Sequence, residues 1–324
     1  MSASRRRGSS IGVASSAHAL VLLLGALALA GTVAGCGLGA GSAPSAVQLL
    51  VTRDFGGRVL SRENTPHVQG EETVMSLLMR NDPVSTRYGG GFVQSIRGLS
   101  GGQEGGEPVD WFYYVNGVEA NKGAAATDVH PGDHIWWDRH DWSQAEDVPA
   151  VVGSFPEPFL NGLGGKRWPV RIECANVTGF ACTTVTARLR ALGVPAAIAA
   201  IGSSGEPETL RLMVGPWVKV GGDLTAHTLE AGPHASGVYA RFSANGRTLS
   251  LLDQDGRQAR VLGAHTGLIA ATRNGESAPL WLVTGTDDAG VDLAAHDFQQ
   301  STLEDHFAVA LSGATGIPLP VAGP

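Results

Sequence analysis

Residues 166–324 of this 324-residue chain lack nucleophile and phosphate-binding signatures. No Gly-x-Ser-x-Gly elbow occurs there, and no Gly-x-Gly-x-x-Gly follows a strand, which argues against the common α/β-hydrolase and dinucleotide-binding layouts. Gly162-Leu-Gly-Gly-Lys-Arg167 misses the P-loop spacing and has no Ser or Thr after its lysine. No CxxC or HExxH accompanies the histidines, and Asp253 and Asp255 fall short of a calcium loop. No catalytic residue, metal ligand or resident cofactor is expected. Charge is scarce too: Asp, Glu, Lys and Arg make up 16% of the residues, with a formal net charge of −7. An acidic balance disfavours nucleic acid, which selects a basic face. Cysteine occurs only three times, so each position carries information.

The first cysteine, Cys36, ends Val33-Ala34-Gly35-Cys36. Before it stand Arg5, Arg6 and Arg7, then an apolar run from Ala19 to Ala30 broken by Gly25. This is the plan of a secretory leader. The Val-Ala-Gly-Cys pattern resembles the lipobox of bacterial lipoproteins, in which the cysteine receives a diacylglycerol and becomes the first mature residue. The resemblance implies a leader over 1–35, lipidation at Cys36 and a stable anchor on the outer face of the cell membrane. An uncleaved transmembrane anchor is the alternative, but the glycines at 31, 35, 37 and 39 and the short apolar core weigh against it. Loss of three arginines makes the mature chain still more acidic. Cys174 and Cys182 remain as a pair, which in an exported chain suggests a disulfide, the alternative being two buried thiols.

The small residues of 36–45 read as a tether. Val47 to Arg53 then reads as a strand and Glu71 to Arg80 as a helix with Val74, Leu77 and Leu78 on one face. Phe92 to Ile96, Val109 to Val115 and Asp133 to Asp138 read as strands, with Asn116-Gly117 as a type I′ hairpin signal. Residues 148–165 are rich in Pro and Gly and read as a linker or a wrapping loop. Beyond them strands alternate with helices. The strands fall at Val170 to Glu173, Ala196 to Ile201, Leu210 to Val214, Val238 to Phe242, Thr248 to Leu252 and Leu280 to Thr284. The helices fall at Thr183 to Leu192, Asp223 to Glu230 and Asp288 to His296. That alternation predicts an α/β domain over 166–324, and Asn245-Gly246 and Asp255-Gly256 predict a mixed sheet. Thr286, Asp287 or Asp288 reads as a helix cap.

Val109-Asp-Trp-Phe-Tyr-Tyr-Val-Asn-Gly117, followed by Pro131-Gly-Asp-His-Ile-Trp-Trp137, is similar to the transcobalamin-like C-terminal domain family. Its hallmark is Trp-x-Tyr-Tyr-x-Asn-Gly followed by a Pro-Gly-Asp strand start. The resemblance covers about residues 46–147 and implies a β-grasp fold, giving an α+β chain overall. In vertebrate cobalamin carriers this domain caps one face of a corrinoid, so a corrinoid or another cofactor-sized ligand is implied here. The helical barrel that supplies the other face in those carriers has no counterpart in this sequence. Residues 166–324 would have to provide that second wall.

The densest set of functional side chains is His130 to Trp142. Strand alternation puts His134, Trp136, Asp138 and His140 on one face, with Ile135 and Trp137 on the other. The face can be a polar face with Ile135 and Trp137 in the core behind it, a metal site, or an aromatic floor for a flat ligand. Trp111, Tyr113, Trp136, Asp138 and His140 are the candidate ligand-binding residues. The function expected is noncatalytic capture of a corrinoid or similar ligand at the membrane surface, for delivery to a membrane transporter. The alternative is a cell-envelope module whose aromatic strand docks a protein or polysaccharide.

Overall fold

The computed structural model describes residues 43–203 and 208–322. The leader, Cys36 and most of the tether lie outside the described residues, and Ser42–Pro324 forms one compact unit. Its first sheet begins with the hairpin β1 (Gln48–Arg53) and β2 (Arg58–Glu63). Leu49, Leu50 and Val51 are all buried, because β1 becomes a strand covered on both faces.

Helix α1 (Val74–Asn81) follows. Thr73 caps it: Ser76 N donates to the Thr73 hydroxyl, and Thr73 N donates to Ser76 Oγ. The cap starts the helix three residues after Glu71, and Glu72 instead pairs with Arg80 at 3.1 Å. Val74, Leu77 and Leu78 fill the space beneath it.

A small sheet of β3 (Val84–Arg87), β4 (Phe92–Ile96) and β5 (Leu99–Ser100) comes next. Then β6 (Gly102–Glu104), β7 (Glu107–Val115), β8 (Val118–Glu119) and β9 (His134–Asp141) complete the first sheet. Asn116 and Gly117 turn β7 into β8 with φ of 53° and 77°, the left-handed pair that a type I′ turn requires. The order is β2-β1-β9-β7-β6, with β8 on β7. The central pair β1 and β9 is parallel, and β7 runs antiparallel to β9.

Residues 148–165 wrap rather than dangle. Val151, Val152, Phe155 and Phe159 are buried, Val151 N bonds Gly117 O at 2.8 Å, and Val152 N bonds Phe307 O at 3.1 Å. The segment therefore ties the first sheet to the rest of the chain.

The second portion opens with β10 (Val170–Cys174), α2 (Phe180–Ala191), β11 (Ala196–Ala200) and β12 (Leu210–Pro216). A three-stranded antiparallel sheet follows, β13 (Ala240–Phe242), β14 (Leu249–Leu252) and β15 (Gln258–Leu262). The chain ends with β16 (Thr266–Thr272), β17 (Leu280–Gly285), α3 (Asp288–His296), β18 (Ala308–Ser312) and β19 (Thr315–Leu319). The main sheet has the order β11-β10-β12-β17-β16-β18-β19. Its first four strands are parallel and the last three join antiparallel, so the sheet is mixed. Asp287 caps α3 by accepting from Gly290 N at 2.8 Å.

The helix expected over Asp223 to Glu230 shrinks to Thr228–Ala231. Asp223 spends its carboxyl on Thr225 N, Ala226 N and Arg211, which fixes a turn instead.

Helices α2 and α3 cover one face of the main sheet, with Val185, Leu189, Val291 and Ala294 against Ile172, Val214 and Val283. On the other face Met213, Leu268, Leu282 and Ala310 share a core with Leu50, Tyr114 and Trp136 of the first sheet. The class is α+β, with α1 covering the remaining face of the first sheet. Among the described residues no helix is long and apolar enough to cross a membrane.

Candidate functional site

Alternation along β7 and β9 divides the sequence-predicted residues between two faces. Trp111 and Tyr113 lie with Ile135 and Trp137 beneath α1. Trp111 Nε1 donates to Leu99 O at 3.0 Å, and Tyr113 stacks on Trp137 with centroids 4.9 Å apart. The Tyr113 hydroxyl lies 2.8 Å from Thr127 Oγ1, and burial holds its pKa above the usual phenol value. Trp136, Asp138 and His140 point the opposite way, into the core shared with the second portion.

Those three form one buried network. Trp136 Nε1 donates to Thr52 Oγ1 at 2.7 Å, and Thr52 donates onward to the Asp138 carboxyl. Asp138 also accepts from Phe55 N at 3.1 Å and Gly56 N at 2.9 Å, and lies 2.8 Å from His140 Nδ1. The His140 ring is sandwiched between Phe55 and Phe112, with centroids 4.6 and 4.5 Å away, and Phe307 meets it edge-on at 5.5 Å. A carboxyl so buried needs this many donors to offset its desolvation. The network also shapes the turn after β1: Gly56 has φ of +78°, and a Cβ there would sit 1.8 Å from Asp305 O. Asp138 therefore holds a backbone contact between the first sheet and the loop before β18.

The structure brings Trp136, Asp138 and His140 together and leaves Trp111 and Tyr113 on the other side of the sheet. All five are buried. Among the described residues no cluster of His, Cys, Asp and Glu is placed to hold a metal ion.

An open concavity lies elsewhere. A crevice of about 520 Å³ opens where β10 and β12 end, bounded by the start of α2 and the start of α3. Connections from these neighbouring strands leave in opposite directions, β10 to β11 on one side and β12 toward β17 on the other. Such a switch point leaves a gap that no crossover covers. Cys174 and Cys182 form a disulfide across the first βα turn, with Cα atoms 5.9 Å apart, and Cys182 lines the wall.

The floor is Val214, Gly215 and Pro216; a Cβ on Gly215 would come within 2.6 Å of the Ala175 Cβ. Phe180 and Val218 stand on the rim, 56% and 63% exposed. Lys219 marks one polar edge, and Asp288 and Asp292 of α3 mark another. The arrangement suits a small, partly apolar molecule oriented by a charged end.

Sequence reasoning missed this crevice because its residues are small or ordinary. The available signals were the strand-to-helix turn Asn176 to Gly179 and the large apolar Phe180 in a helix's first turn.

A domain of unknown function (DUF4430), of transcobalamin-like kind, matches residues 71–141. The match runs from the lead-in to α1 through the end of β9 and includes both hallmark segments. No curated protein matches the chain.

Proposed function

We propose that this chain is a noncatalytic binding protein, lipid-anchored through Cys36 on the extracytoplasmic face of the membrane. It holds a small, partly apolar ligand in the crevice at the ends of β10 and β12. The observation that carries this reading is the open concavity at the strand-order switch, rimmed by exposed Phe180 and Val218. The first sheet is read as a β-grasp unit. Its parallel central pair, its strand order and the single helix on one face support that reading.

In this account Trp136, Asp138 and His140 lock the first sheet to the second portion, and the ligand lies elsewhere. The test is native mass spectrometry of the chain purified gently from its own host, then incubated with corrinoids, haems and flavins. A retained mass that is lost in Phe180→Ala supports the crevice. A chain that stays bare throughout overturns it.

A second reading has its own observation. Tyr88 is 86% exposed and Phe92 42%, with ring centroids 6.3 Å apart beside the β3–β4 hairpin. Such a pair suits an envelope interaction module. Loss of envelope pull-down partners in Tyr88→Ala with an unchanged ligand mass would favour it.

A further inference from the structure

A second concavity, about 290 Å³, opens between the start of β9, the β1–β2 hairpin and the 153–161 segment. It shares no lining residue with the crevice. Its floor carries three buried polar residues, His134, Ser154 and Glu157. His134 Nδ1 lies 2.8 Å from Ser154 Oγ. Asn161 is pinned in place, its backbone N donating to Glu157 at 2.9 Å and its side-chain amide to Gly132 O at 3.2 Å. At the rim, Arg62 donates to Glu304 at 2.8 Å and also to Asp305, so its one positive charge is fully engaged and the rim keeps a net negative charge. Exposed amides of Gln48, Asn64 and Gln300 complete the opening.

We propose that this cleft binds a neutral polyhydroxylated molecule of about one sugar ring. The size is right for a small ligand, since the cleft stands at the lower end of the usual ~300–1,000 Å³ range of small-molecule sites. The chemistry is right for hydroxyl groups, which both donate and accept and so match a lining of hydroxyl, amide, imidazole and carboxyl groups. An anionic ligand finds its one arginine already committed to two carboxylates. Burial pushes Glu157 up to about 7 and His134 down to about 4, which keeps the His134 ring neutral and Glu157 about half protonated near neutrality. The Ser154–His134 pair is not read as catalytic. Among the described residues no carboxylate pairs with the His134 ring, so the relay that orients a catalytic imidazole is missing.

The test is saturation-transfer NMR on the full-length chain with glucose, galactose and N-acetylglucosamine. Glucosamine and glucuronate serve as charged counterparts of the same size. At least one neutral sugar should bind, with glucuronate about tenfold weaker and glucosamine no tighter. Ser154→Ala and the exposed-rim variant Gln300→Ala should each weaken binding about tenfold. Phe180→Ala should leave it unchanged, which separates this site from the crevice. The proposal is overturned by no binding of any neutral sugar at about 10 mM, a millimolar limit of roughly 3 kcal/mol. It is equally overturned by tighter binding of a charged sugar, or by Gln300→Ala and Ser154→Ala both binding like the parent.

Discussion

Strand β9 carries Trp136, Asp138 and His140 on one face, whereas the ends of β10 and β12 offer little beyond alanine, valine, glycine, proline and a disulfide. The rich face is sealed under Phe55, Phe112 and Phe307, and the plain one is open to solvent. The difference shows how burial and openness divide the two kinds of residue in this chain. Polar groups that must be buried need dense mutual bonding, so a crowded strand can mark an interlock. A binding crevice needs room first, and small residues leave room.

The largest expected effect breaks the interlock. Asp138→Ala would orphan Phe55 N and Gly56 N and remove the closer acceptor of the Thr52 hydroxyl at once. It should cost about 4 kcal/mol, as expected for breaking a buried polar cluster from one side. Thermal unfolding should then fall by roughly 8–16 °C. A stable Asp138→Ala variant that instead loses its ligand would reverse the comparison. Next in size is the crevice wall. Replacing Cys174 and Cys182 together by serine opens a short loop and should cost about 2.5 kcal/mol on the chain-entropy estimate. Denaturant titration checks it; an unchanged midpoint would mean that packing alone holds the wall.

Much of the fold was legible where pattern and punctuation agree. Helix α3 runs over the residues that its apolar spacing and Asp287 cap suggest, and Asn116-Gly117 makes the expected turn. Strands β16 and β18 escaped because both faces are buried, so Thr266–Thr272 and Ala308–Ser312 show no alternation to read. For the site, alternation does place Trp136, Asp138 and His140 together. What covers them is Phe307, from a distant part of the chain, with Tyr239 packed on Phe55 beside it, and no local pattern reveals a lid of that kind. The crevice depends on strand order, which pairing across the whole sheet decides.

The polar cleft sharpens the comparison through pH, because it is neither sealed nor apolar. The folded pKa of Glu157, about 7, stands above its ordinary 4.5. Folding therefore favours its protonated form, and that contribution is full below pH 4.5 and lost as pH rises to 7. His134 runs the other way: its pKa of about 4 lies below the ordinary 6.5, so its contribution is full above pH 6.5 and lost as pH falls toward 4. The two oppose each other in the parent. Glu157→Gln removes one side, so its stability relative to the parent should rise by about 2 kcal/mol between pH 4.5 and 7 and stay level outside that window. Urea unfolding at a series of pH values reads this difference directly. A parent-to-variant gap that does not move with pH would place Glu157 in water rather than in the floor of the cleft.

The smallest expected change in stability belongs to the crevice rim. Phe180 and Val218 are mostly exposed, so Phe180→Ala and Val218→Ser should each shift stability by no more than about 0.5 kcal/mol. Their effect on a retained ligand should be much larger, about tenfold per residue, since each presents apolar surface that a ligand would cover. The two quantities have to be measured on the same preparations, by thermal unfolding and by titration of the ligand that mass spectrometry identifies. A large stability loss with unchanged affinity would make the rim part of the structural core. Small loss and weak binding together would mean that the plain residues at the strand ends, and not the crowded ones on β9, meet the ligand.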